Sequence, residues 1–300
     1  MKSRKIFVFI AVATMLAAVA QAQYTPSLMP RLTAHPAVTG ASINAKTNTD
    51  AVRPPVNTAC TYSFTVPGKL NSFLSFCVSP NGNIVSLQSP TSNFDQIAQG
   101  GVGEGYGVCD TSTNVAYTDW GYTESGNWGS PTLVSSTASA VKISRTTTDG
   151  LWTLTQTIAK QAGIQPFVHI TMALKNNTGI SKDAYLVRWA DIDPAAAPFT
   201  DGSFAESVDS SQYAAWAYAP LNNGIGENSL GVTLAEIGQP NVPYGFEGLA
   251  QASSVAPNPC NPGASYSGLK TGVDASVSMF WVLVTGPQKT GIVNAKYEPF

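Results

Sequence analysis

The segment VKISRTTTDGLWTLTQTIAK, residues 141–160, limits the fold of this chain more than any other stretch. Asp149-Gly150 sits between two runs that alternate apolar and polar side chains, and both residues tolerate the positive φ of a two-residue hairpin turn. Reflection about that turn sets Thr147 against Trp152, Arg145 against Leu154, Ile143 against Gln156 and Val141 against Ile158. The opposite face, Lys142, Ser144, Thr146, Thr153, Thr155 and Thr157, is polar throughout. One buried face and one wet face define an antiparallel sheet packed on a single side.

The same period of two recurs along the chain. CTYSFTV (60–66), SFLSFCVS (72–79) and IVSLQS (84–89) read as three short strands, with Asn81-Gly82 as a second hairpin turn. A two-residue turn there opposes Val78 to Val85 and Phe76 to Leu87, and reflection about Gly68–Lys69 opposes Phe64 to Phe73 and Cys60 to Cys77. In PFVHITMALKNNTG, Val168, Ile170, Met172 and Leu174 share one face, whereas DAYLVRWADID is apolar on both sides. YAAWAYA, LGVTLAEI and SVSMFWVLVTG add later strands, for about a dozen in all. With no amphipathic helix longer than two turns and no fixed repeat, the expected architecture is all-β: a large antiparallel β-sandwich with long decorated loops and little helix. An outer-membrane barrel fits less well, because the strands lack regular membrane-spanning spacing and Pro299 stands in the final run, KYEPF.

The N-terminus supplies an address. Lys2, Arg4 and Lys5 precede an apolar run from Ile6 to Ala20, followed by Ala20-Gln21-Ala22, so residues 1–22 read as a signal peptide cleaved before Gln23. Residues 23–58, with five prolines and no periodic apolar face, read as a flexible Pro/Thr/Ala-rich leader, and 59–300 as a single β-sandwich domain. The expected location is outside the cytoplasm, in the periplasm or beyond the cell, with no transmembrane segment in the mature chain. Cleavage removes three of sixteen basic residues and none of eighteen acidic ones, leaving a net charge of −5. A chain with that balance lacks the electrostatic footprint of a nucleic-acid binder. Four cysteines, Cys60, Cys77, Cys109 and Cys260, all follow the cleavage site, and an even count in an oxidising compartment favours two disulfides over a metal site. The register pairs Cys60 with Cys77, and exclusion then pairs Cys109 with Cys260.

Candidate chemistry is sparse. His35 lies in the leader and His169 alternates along a strand, where a structural imidazole is the expected role. Asp119 and Glu124, flanking Trp120 and Tyr122, are the candidate catalytic carboxylates, since glycoside cleavage needs two acids placed across a sugar. Asp191, Asp193 and Asp201 offer oxygen ligands for Ca²⁺, but their spacing is not that of an EF-hand and strand-end roles explain them, so no cofactor is expected. Tyr117, Trp120, Tyr122 and Trp128 fall within the twenty residues DTSTNVAYTDWGYTESGNWG and form the candidate ligand-binding surface, because aromatic rings stack on sugar faces. The function expected from these features is a secreted, non-catalytic β-sandwich that binds a polysaccharide or another envelope component through this loop. The alternatives are a carbohydrate-active enzyme using an Asp/Glu pair, and a structural envelope component with no small ligand.

Overall fold

A computed structural model describes residues 58–68, 73–89, 95–97, 103–194, 204–209, 214–219, 230–237, 246–251, 256–262 and 268–300. The stretch expected to be a signal peptide, and all but the last residue of the expected leader, lie outside the described residues, as does Asp201. Among the described residues the chain forms seventeen strands and no helix.

The strands make three antiparallel sheets. The smallest joins β1 (Tyr62–Pro67), β2 (Phe73–Val78) and β3 (Ile84–Gln88). A five-stranded sheet has the order β14 (Phe246–Gln251), β16 (Ser276–Thr285), β10 (Lys182–Asp191), β4 (Glu104–Asp110), β5 (Val115–Asp119). A nine-stranded sheet runs β15 (Gly268–Val273), β11 (Phe204–Asp209), β12 (Ala214–Ala219), β13 (Leu230–Glu236), β17 (Thr290–Pro299), β9 (Phe167–Asn176), β8 (Trp152–Gln161), β7 (Ala140–Thr146), β6 (Thr132–Ser136). The chain is therefore the all-β antiparallel sandwich that its alternation predicts. Val232, Leu234, Val293, Ala295 and Tyr297 from the large sheet share one core with Val277, Met279, Trp281 and Leu283 from the five-stranded sheet. Strand β10, apolar on both sides in the sequence, is buried on both sides at Leu186, Val187, Arg188 and Trp189.

The β7–β8 hairpin has the register that its turn predicts, with Val141 opposite Ile158, Ile143 opposite Gln156 and Arg145 opposite Leu154. The two earlier hairpins differ from the predicted pairing. Phe64 faces Phe76 rather than Phe73, with ring centroids 5.0 Å apart, because the connection between the strands is longer than reflection about Gly68–Lys69 allows. In the second hairpin Phe76 does face Leu87, but Val78 faces Ile84 across a register shift. The reason lies in the turn: Gly82 N–H donates to Ser79 O and Ser79 N–H to Asn83 O, so three residues form the loop and only Gly82 takes a positive φ, 91°. The three-residue loop sets Val78 against Ile84, and the extra residue Val85 then restores the pairing of Phe76 with Leu87.

Two disulfides, Cys60–Cys77 and Cys109–Cys260, close the described cysteines, with Cα separations of 5.5 and 4.9 Å. The first ties the approach to β1 onto β2, and the second ties the 256–262 segment onto β4. No described helix is long and apolar enough to cross a membrane.

Candidate functional site

Two polar assemblies distinguish the sandwich, one inside it and one on its surface. The inner one is built on Arg145, which β7 carries on its buried face. Its guanidinium donates to Asp119 Oδ2 at 2.7 Å, Glu124 Oε1 at 2.6 Å, the Tyr106 hydroxyl at 3.1 Å and Gly129 O at 2.9 Å. It also lies over the Trp128 ring, 5.7 Å from the centroid. Asp119 accepts three further hydrogen bonds, from Asn81 Nδ2, Asn83 Nδ2 and Gly121 N–H. Glu124 has the arginine alone, and its Oε2 is buried without a hydrogen-bond partner.

A second buried arginine stands nearby. Arg188, on β10, pairs with Glu104, and donates to Gln156 Oε1 and to Gly82 O at 3.3 Å. Glu104 in turn accepts from Ile84 N–H at 2.6 Å and the Tyr297 hydroxyl at 3.1 Å. Strands of all three sheets thus meet through hydrogen bonds to these charges. Burial raises the carboxyl pKa of Glu104, Asp119 and Glu124 above the ordinary value, against the opposing pull of Arg188 on the first and Arg145 on the other two. Asp110 is the contrast: burial would raise its pKa, but hydrogen bonds from Lys182, Ser112 and Trp152 outweigh that and hold it low.

The outer assembly lies on the solvent side of the nine-stranded sheet, where alternate residues of each strand face away from the core. Register places Trp216, Thr233 and Glu298 in one cross-strand row, and Ala235, Lys296 and His169 in the next. Lys296 pairs with Glu298 and sits over the Phe167 ring, 5.4 Å from its centroid. His169 Nε2 approaches Asn294 Oδ1 at 3.3 Å, and Thr171 donates to the same oxygen at 2.8 Å. An amide oxygen accepts only, so His169 donates from Nε2. Trp216, Thr233, His169, Asn294, Lys296 and Glu298 are all half-buried, open to solvent on one side. Tyr218, two residues from Trp216 and on the same face, is buried, and its hydroxyl has no hydrogen-bond partner.

The loop expected to bind ligand is placed differently. Trp128 is fully buried beneath Arg145, against Tyr106 and Tyr117. The Tyr117 hydroxyl is turned inward onto Asp149 Oδ2 at 2.5 Å. Trp120 does not share a face with Tyr122, because β5 ends at Asp119 and the chain turns through Gly121 at φ 76°. Its ring packs edge-on against Trp189, with centroids 5.9 Å apart, in a small buried cluster with Val187 and Phe280. Tyr122 alone keeps access to solvent, lining a cleft of about 410 Å³ beside the Cys60–Cys77 disulfide. Asp191 ends β10 and Asp193 follows one residue beyond Ile192, and no group of three or more metal-ligating side chains occurs among the described residues.

No protein-family model matches the sequence, and no curated protein matches it either. Solved structures of similar shape do exist. A putative aldose 1-epimerase from Escherichia coli K12 is 10% identical, with 81% of this chain and 99% of that one covered and a TM-score of 0.41. A galactose mutarotase-like protein from Lactobacillus casei is 9% identical, covering 80% and 100%, with a TM-score of 0.46. A bacterial glucoamylase complexed with acarbose is 12% identical, covering 77% of this chain and 33% of that one, with a TM-score of 0.45. The expectation of a non-catalytic sandwich that binds through an exposed aromatic loop is corrected: three of its four rings, Tyr117, Trp120 and Trp128, are buried in packing.

The residues of the outer assembly leave little trace in the sequence. Trp216 is one aromatic in an alanine-rich strand, and Lys296 and Glu298 alternate in NAKYEP as any solvent-facing pair does. Only the cross-strand register brings them to His169.

Proposed function

We propose that this chain is an exported carbohydrate-active enzyme that holds a sugar against the outer face of its nine-stranded sheet and moves protons with Glu298 and His169. The observation supporting this is the union, on one solvent-open face, of an aromatic ring (Trp216), a carboxylate (Glu298), an imidazole (His169) and amide and hydroxyl groups (Asn294, Thr171). The indole offers an apolar plane for the C–H face of a pyranose. Glu298 and His169, on the adjoining strands β17 and β9, supply a carboxylate and an imidazole further along the same face, within the span of an oligosaccharide laid across it. Asp119 and Glu124 have the opposite surroundings. At 0% and 5% exposure, and held by Arg145, they clamp the fold behind this face. The two disulfides accord with passage into an oxidising compartment.

The test is a panel of free aldoses, followed by polarimetry for anomerisation, and of glycosides and polysaccharides, followed by reducing-end release. Glu298→Gln and His169→Ala are expected to lower kcat by about 10²–10⁴-fold, the ordinary share of one acid–base group, with the thermal midpoint unchanged. Trp216→Ala is expected to raise KM instead. Undiminished turnover in both Glu298→Gln and His169→Ala, or a panel on which the wild-type protein neither binds nor turns over any sugar, would sink the reading.

A further inference from the structure

The same outer face continues away from Trp216 into a trough of about 350 Å³ across β7, β8, β9 and β17. Thr153, Thr155 and Thr157 of β8 run along it, and Thr171 of β9 borders it. The sole charges in its lining are the ammonium groups of Lys142 and Lys175, with no carboxylate among the lining residues. Among the described residues neither lysine is ion-paired. Register fixes their placement: Lys142 shares a cross-strand row with Thr157 and Thr171, and Lys175 shares one with Thr153. The two lysines therefore stand at opposite corners, two strands and two rows apart, about 16 Å between Cα atoms from ordinary strand spacing and rise.

We infer that this trough binds an acidic polysaccharide, of the uronate class, laid diagonally between Lys142 and Lys175. The inference rests on the reading that this face meets sugar, and it names the kind of sugar polymer. Two cations so far apart match carboxylates several sugars apart on an extended chain better than the charge of a single monosaccharide. The hydroxyl rows between them can donate to and accept from the hydroxyls of the sugars that span the gap. Charge complementarity here is local, since the mature chain as a whole carries −5 and would repel a polyanion at any undifferentiated surface. The trough lining contains no aromatic ring for base stacking, which separates this surface from a nucleic-acid platform.

Affinity electrophoresis through gels containing polygalacturonate, dextran or poly-L-glutamate tests the inference without any assay of activity. The full-length exported protein is expected to be retarded by polygalacturonate and not by dextran, and retardation is expected to weaken as salt is raised. Lys142→Gln with Lys175→Gln is expected to weaken the apparent affinity at least tenfold, while Lys142→Arg with Lys175→Arg retains it, with circular dichroism confirming the fold of each. No retardation by polygalacturonate, unchanged retardation in the double glutamine variant, or equal retardation by poly-L-glutamate would overturn it. Loss of turnover in Glu298→Gln with retardation intact separates the chemistry proposed for that glutamate from the binding proposed here.

Discussion

Arg145 shows how a single side chain can couple distant parts of a β-protein. One guanidinium engages the end of β5 through Asp119, the following turn through Glu124, and the backbone at Gly129, all behind the hairpin that carries it. Arg145→Met removes the cation but leaves two buried carboxylates, which is the costly half of breaking a buried ion pair. The expected loss is about 3–5 kcal/mol at pH 7, read from urea unfolding. Its pH dependence has a definite sign. Burial already raises both carboxyl pKa values, and losing the arginine raises them further, so the variant's deficit shrinks as pH falls and the carboxyls take up protons. A deficit that stays constant from pH 7 down to pH 4 would mean the arginine acts through packing on Trp128 rather than through charge.

At the scale of elements, the hairpins set which residues can meet. Asp149-Gly150 is legible because alternation is strong on both sides of it, and one register alone buries Val141, Ile143, Leu154 and Ile158 together. Asn81-Gly82 is less legible, because the same dipeptide serves a two-residue turn or a three-residue loop, and the flanking apolar residues tolerate either. Gly82 itself is held tightly. At φ 91°, an added Cβ would lie 2.6 Å from Gln156 Nε2, and that side chain is committed to Arg188 through its Oε1. Gly82→Ala is therefore expected to cost about 1–3 kcal/mol through backbone strain and displacement of Gln156. Thermal unfolding of the variant checks this, and a shift no larger than that of an exposed Gly150→Ala control would show that the neighbouring network gives way without cost.

For the whole molecule, the disulfides are the covalent counterpart of the ionic clamp. Cys109–Cys260 joins residues 151 apart in sequence, whereas Cys60–Cys77 joins residues 17 apart. Closing the longer loop removes more freedom from the unfolded chain, so replacing Cys109 and Cys260 by alanine is expected to cost about 2–5 kcal/mol, and replacing Cys60 and Cys77 less. Equilibrium unfolding of the two paired variants under oxidising conditions gives the order, and the reverse order would mean that strain or denatured-state structure dominates loop entropy. The sparse surface charge is also a property of the whole. With so few ionisable groups, an unpaired pair such as Lys142 and Lys175 defines the local field with little interference.

The sequence by itself determined the class of fold, the solvent and core faces of its strongest strands, and the threonine-rich surface of β8, because a period of two maps directly onto the two faces of a sheet. Tertiary structure decided the rest. Whether Trp120 and Trp128 recognise a ligand or fill a core depends on what packs over them, and aromatic residues suit both tasks equally well. Asp119 and Glu124 had the look of a catalytic pair in sequence, but the side chain that occupies them comes from another hairpin. Trp216, Glu298 and His169 lie on three different strands and come onto one face only through the β12–β13–β17–β9 order, since pairing across a sheet joins residues far apart in the chain and leaves no local pattern to read.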